Sequence, residues 1–253
     1  MDKNEINIYS IIRSSEEDEK LGKLKDEIIK SKIQYNSLVF DDNYLIRFLR
    51  ASKCDVEQSF EMFKKCVEWR KNEKIDEIHL YDYKEELEVL SLHPRSYHKT
   101  DKLGRPIHYE LLANLNMGEV LELTSIDRII KYNVKKIDYV MHTYFPICSK
   151  KVNRNVYQTV NITDMKDFSL YQIGRNIYDY IQADSVIMQE YYPEILGKVY
   201  ILNTGYIFMG IWAIIKTFLN EATTNRVSFP GSDYIEDLQQ TVILFLFFIL
   251  DRH

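Results

Sequence analysis

QEYYPEILGKVYILNTGYIF, residues 189–208, stands where a helical pattern gives way to a strand and then to a second helix. Residues 171–189 read as helix, residues 199–203 as a short buried strand, and residues 207–220 as an apolar helix. The same alternation extends upstream. Residues 156–162 alternate toward a strand, and residues 125–141 are strongly helical, with Ile126, Ile129, Ile130, Val134, Ile137 and Met141 on one face. A further strand is expected over 107–112, after a turn at 100–106 in which Asp101, Gly104 and Pro106 each favour a bend. Strands separated by helices predict βαβ units and a mainly parallel sheet.

Residues 1–80 have a different texture. Asp41 and Asp42 are placed to cap a helix carrying Leu45, Ile46, Phe48 and Leu49. Asp55 is placed to cap the next, whose Val56, Phe60, Phe63 and Val67 follow the helical period. Neither Pro nor Gly occurs between Lys23 and Leu92, as suits a bundle of short helices. The expected division is a helical module over 1–80, an α/β domain over 81–230 and an atypical apolar tail over 231–253.

Composition narrows the function. Hydrophobic residues make up 45% and charged residues 28%, enough for a core within a soluble chain. A net charge of -5 argues against a general nucleic-acid binder. Cys54, Cys66 and Cys148 form no CxxC pair and read as free thiols of a reducing compartment. The N-terminus lacks the apolar segment of a secretory signal. Two runs are markedly apolar, IFMGIWAII at 207–215 and VILFLFFIL at 242–250, and each is too short for the roughly 20 residues that span a bilayer.

Catalytic motifs are missing from the sequence: no GxSxG elbow, no HExxH and no Walker loop. His98 and His108 flank the Gly104 turn, but the histidines show no metal-ligand spacing, so neither metal nor cofactor is expected. Glu190 and Glu194 read first as a surface pair. The 19 tyrosines include pairs at Tyr81/Tyr83, Tyr178/Tyr180 and Tyr191/Tyr192. Such rings suit either an ordinary core or a cavity that is oily yet binds a polar group.

Three segments together carry a resemblance. DDNYLIRFLRASKCDVEQSFEMFKKCVEWRKNEKIDEI at 41–78 resembles the N-terminal helical module of CRAL-TRIO proteins. RSYHKTDKLGRPIHYELL at 95–112 is similar to the first strand and hairpin of their lipid-binding domain, and the 189–208 stretch to that domain's most diagnostic part. They occur in family order and are most similar to the phosphatidylinositol/phosphatidylcholine transfer branch. The resemblance implies a pocket floored by a twisted sheet, with flanking helices and a mobile gate helix over 207–218. Ile207, Phe208, Ile211, Trp212, Ile215 and Phe218 would form that gate, its inner face over acyl chains and its outer face meeting a membrane.

The resemblance also implies headgroup residues. A phosphoinositide is expected at Arg70, followed by Lys71, with Glu194 and Arg226. A guanidinium can fork onto phosphate, and a carboxylate can accept from inositol hydroxyls or orient the arginine. The competing reading makes Arg70 and Glu194 a structural ion pair. For a choline headgroup, Tyr97 keeps an aromatic position and Thr159 a hydroxyl, whereas His108 and Asn161 stand where the family prefers tyrosine and threonine. Choline favours electron-rich ring faces, so phosphatidylinositol is favoured over phosphatidylcholine.

The implied protein is a non-catalytic, monomeric, cytoplasmic carrier with bound phospholipid as its only ligand. It would meet Golgi or endosomal membranes transiently and present phosphatidylinositol to a lipid kinase, with no nucleic-acid partner. The alternatives are a carrier of a sterol, tocopherol or retinoid, and a regulatory module that binds lipid without transferring it. Beyond Arg226 the sequence departs from the family, and three readings of 231–253 stay open: a splice or gene-model boundary, a membrane-binding tail, or an apolar helix packed on the domain.

Overall fold

The computed structural model describes residues 11–113, 115–169, 174–205, 208–231 and 234–241. The apolar stretch 242–250 lies outside them, as do most of the expected tail and Ile207.

The first three helices, α1 (Ser15–Ser31), α2 (Asp42–Ala51) and α3 (Val56–Asn72), form the helical module. Their starts follow from local chemistry. Ser14 and Glu17 form a capping box on α1, Asp41 accepts from the Tyr44 N–H, and Asp55 accepts from the Gln58 N–H. Leu24, Ile46, Phe48, Leu49 and Phe63 meet in its core, each fully buried. Removing any of these side chains would cost about 2–5 kcal/mol. After a 3₁₀ turn at Ile75–Leu80 comes α4 (Glu86–Leu92), which leads into the sheet.

The sheet has five strands in the order β1 (Arg95–Thr100), β2 (Pro106–Leu111), β3 (Thr159–Asp164), β4 (Leu196–Leu202) and β5 (Val227–Ser228). β1 runs antiparallel to β2, and all other pairs are parallel. The hairpin between β1 and β2 is built on Asp101, which is 2% exposed. Its carboxylate accepts from the N–H groups of Leu103 and Arg105 and from the Arg105 guanidinium. Gly104 sits there at φ +78, where a Cβ would fall 2.6 Å from a Val152 methyl.

Between β2 and β3 run α5 (Met117–Leu123), α6 (Ile126–Tyr139) and α7 (Phe145–Val152). The sequence predicts one helix over 125–141. Ser125 caps it, its side chain accepting from the Arg128 N–H, but the helix passes into a π turn at Val140–Tyr144 before α7. Next come α8 (Arg175–Tyr191), α9 (Phe208–Ile215), the short α10 (Glu221–Thr224) and α11 (Tyr234–Thr241). The expected helix over 207–220 is shorter than predicted: α9 stops at Ile215 and a 3₁₀ turn, Lys216–Phe218, follows. Among the described residues no helix is long and apolar enough to cross a membrane.

The helical module is fastened to the end of α8. Tyr44 donates to the Tyr191 carbonyl at 2.6 Å, and Trp69 stacks flat on the Tyr191 ring at 4.1 Å. The tyrosine pair in the diagnostic stretch is therefore the joint between module and sheet.

Candidate functional site

Two cavities share Asp184 and Met188 of α8 in their walls. The larger, about 880 Å³, lies between the faces of β1, β2 and β3 and the helices α6 and α8. Alternation along the strands brings Arg95, Tyr97, His108, Glu110, Thr159 and Asn161 to its wall. Register places Tyr97 opposite His108, and His108 opposite Asn161. The Tyr97 and His108 rings lie 4.9 Å apart, and Thr159 Oγ1 donates to Asn161 Oδ1 at 3.1 Å. All four residues expected from the choline pattern thus share one surface. Burial depresses the His108 pKa to about 4, so its ring is neutral at physiological pH.

Tyr139 and Tyr144 also line this cavity, and the Tyr144 ring meets Tyr97 at 5.7 Å and Tyr139 at 5.2 Å. The π turn delivers Tyr144, which no sequence pattern signalled. One end of the cavity is strongly polar. Glu110 contacts His93 at 2.6 Å and accepts from Thr163 at 3.2 Å. Burial opposes its charge, but His93, His108 and Arg95 outweigh that and hold its pKa down to about 2. On Asp184 burial prevails and raises the pKa, although Asn133 donates to this carboxyl at 2.8 Å.

The second cavity, about 520 Å³, is lined by Lys53 and Ala51 of the helical module, Glu194 and Leu196 before and on β4, and Asn220, Thr223 and Arg226 beyond α9. Glu194 takes a left-handed backbone conformation at φ 62. Its carboxylate accepts from Arg226 Nη2 at 2.7 and 2.6 Å, while Arg226 Nη1 donates to the Leu196 carbonyl at 2.8 Å. Glu194 and Arg226 therefore meet at the wall of this cavity.

Arg70 is elsewhere. It is 4% exposed; its Nε donates to Asp76 at 2.8 Å and its Nη1 to Asp138 at 3.2 Å. It lines neither of these two cavities and does not pair with Glu194. Both expectations for Arg70, headgroup ligand or Glu194 partner, give way to a link between α3 and α6. Lys71, the next residue, is exposed. The cation that reaches the Glu194 cavity from the helical module is Lys53, in the turn between α2 and α3. Lys53 has no ion-pair partner among the described residues. Sequence reasoning missed it because only packing brings this turn to β4.

On α9, Phe208 and Trp212 are buried against Met165 and Phe229, with Ile211 and Ile215 partly buried beside them. Met209 and Ile214 face outward, 54% and 46% exposed. Phe218 ends the following turn, where Gln189 of α8 donates to its carbonyl at 2.9 Å. The described gate residues Phe208, Ile211, Trp212, Ile215 and Phe218 pack on this small cluster or flank it rather than lining the larger cavity. No cluster of metal ligands occurs among the described residues.

This arrangement, a helical module locked to a mostly parallel sheet that walls an interior cavity, matches known proteins. Residues 91–244 match the CRAL/TRIO domain and residues 12–65 the CRAL/TRIO N-terminal domain. The chain belongs to the CRAL/TRIO family. It is 36% identical over 203 residues to the Sec14 cytosolic factor of Schizosaccharomyces pombe, covering 80% of this chain and 71% of that protein. It is 32% identical over 203 residues to the phosphatidylinositol/phosphatidylcholine transfer protein SFH7 of Arabidopsis thaliana, covering 80% of this chain and 37% of that one. The crystal structure of Sfh5 shares the fold, with a TM-score of 0.68 over 87% of this chain and 82% of that one, at 17% identity.

Proposed function

We propose that this chain encloses one phospholipid and carries it between membranes without breaking a bond, taking phosphatidylinositol in preference to phosphatidylcholine. The observation that carries the reading is the second cavity. There the Glu194–Arg226 pair and Lys53 converge on one space, with Asn220 and Thr223 beside them. Lys53 and Arg226 supply positive charge for a phosphodiester, and Glu194 can accept from inositol hydroxyls while holding Arg226 in place. Lys53 takes the part that the family pattern suggested for Arg70. Acyl chains would occupy the larger cavity, and Met209 and Ile214 on the outer face of α9 would touch the bilayer when the gate opens.

The names of the relatives support lipid transfer and a cytosolic location, to which the proposal adds transient membrane contact. A single chain acting alone, and presentation of phosphatidylinositol to a lipid kinase, complete the proposal. Neither catalysis nor a cofactor is part of it; the bound phospholipid is the only ligand. A second reading, phosphatidylcholine as the main cargo, draws on the rings of Tyr97, Tyr139 and Tyr144, which can face a quaternary ammonium.

Vesicle-to-vesicle transfer separates the two. Under the leading reading, Glu194→Ala lowers phosphatidylinositol transfer well below its effect on phosphatidylcholine. Equal losses for both lipids would reduce Glu194 to a structural role and favour the second reading.

A further inference from the structure

The polar end of the larger cavity contains a charge that a channel for acyl chains does not need. Arg95 stands on β1 two residues before Tyr97, so both side chains share the face that walls the cavity. Its Nη1 donates to the Tyr180 hydroxyl at 2.9 Å, and its guanidinium lies 5.8 Å from the centre of the Tyr132 ring. Its Nη2 is enclosed yet has no hydrogen-bond partner among the described residues. No carboxylate is among its salt-bridge partners there, although four carboxyl groups share the cavity wall; of these, Glu86 pairs with Lys136 and Asp138 with Arg70. Glu110 is committed to His93 and Thr163, and Asp184 is bonded to Asn133. An enclosed guanidinium N–H without an acceptor is costly, and an oxyanion is the group that best relieves it.

We infer that Arg95 is a specificity-determining residue that receives an oxyanion of the cargo, so that the inner subsite accepts lipids with an unsubstituted phosphate or carboxylate and disfavours choline. The inference rests on the reading of this cavity as the cargo space. A quaternary ammonium placed against Tyr97 would sit beside the Arg95 guanidinium and a neutral His108 ring, while the ionised Glu110, which faces Arg95 across the strands, is already bonded to His93. A phosphomonoester or a fatty carboxylate in the same place satisfies Nη2 and leaves the tyrosine rings as apolar walls. The two ligand types share one chemistry and differ in what else they carry.

The test loads the full chain from vesicles containing equal amounts of phosphatidate, phosphatidylinositol and phosphatidylcholine, and separately from vesicles doped with oleate. Bound lipid is counted by native mass spectrometry for the wild type, Arg95→Gln and Arg95→Lys. The expected result is that Arg95→Gln loses about tenfold in phosphatidate or oleate relative to phosphatidylcholine. Arg95→Lys, which keeps the charge and guards against a folding defect, retains most of the preference. Loss in the phosphatidate arm alone identifies a lipid phosphate as the natural group, and loss in the oleate arm alone a free carboxylate. If both variants load the lipids in wild-type proportions, Arg95 is a structural residue and the inference falls while lipid carriage stands. If the wild type loads no lipid at all, both fall together.

Discussion

The two cavities differ in how their charges are settled, the smaller by a partly exposed ion pair and the larger by burial. Around the smaller one, Glu194 and Arg226 satisfy each other with two short bonds, and Lys53, on the surface, is the cation left to act. Around the larger one the polar groups are withdrawn from water: His108 is neutral, Asp184 holds its proton more readily, and Glu110 is tied to His93. Arg70, between α3 and α6, belongs to neither and holds the two halves in register.

The largest expected effect comes from breaking that register. Arg70→Ala leaves Asp138, 18% exposed, without its arginine, and should cost about 3–5 kcal/mol of stability, read as a lowered melting temperature. Transfer of every lipid should fall in parallel; a selective loss of phosphatidylinositol transfer would return Arg70 to the headgroup site.

Acid should expose the larger cavity next. The folded pKa of His108 lies below its ordinary value of 6.5, at about 4, so the folded state binds this proton less readily than the unfolded chain. Its contribution is fully present above pH 6.5 and is lost as pH falls toward 4, by up to about 3 kcal/mol. Denaturant midpoints across that interval should fall less steeply for His108→Gln than for the wild type. Identical slopes would mean that the ring is already solvated.

Lys53→Ala tests the smaller cavity. It should lower phosphatidylinositol transfer about tenfold, with phosphatidylcholine transfer and melting temperature nearly unchanged, because the side chain is exposed. The smallest effect should come from α9, where Met209→Glu is expected to weaken vesicle binding about threefold by charging an outward apolar face. Cargo already bound should not change.

The sequence was informative where local chemistry decides structure. Asp41 and Asp55 cap helices as their positions suggest, and the Asp101–Gly104 turn closes the first hairpin. The inward face formed by Tyr97, His108, Thr159 and Asn161 follows from strand alternation once the register is known. Long-range packing was not legible. Asp138 comes from α6 to meet Arg70, and Lys53 lines the same cavity as Glu194 because Tyr44 and Trp69 seat the helical module on Tyr191. The π turn that presents Tyr144 begins where the apolar period over 125–141 ends, and that period does not announce it.

The most direct measurement is the lipid that the full chain takes up and moves between vesicles of defined composition. The account predicts one phospholipid per chain, richer in phosphatidylinositol than the donor membrane, and faster exchange that depends on Lys53 and Glu194. Protein that remains empty and leaves exchange at its spontaneous rate would contradict it.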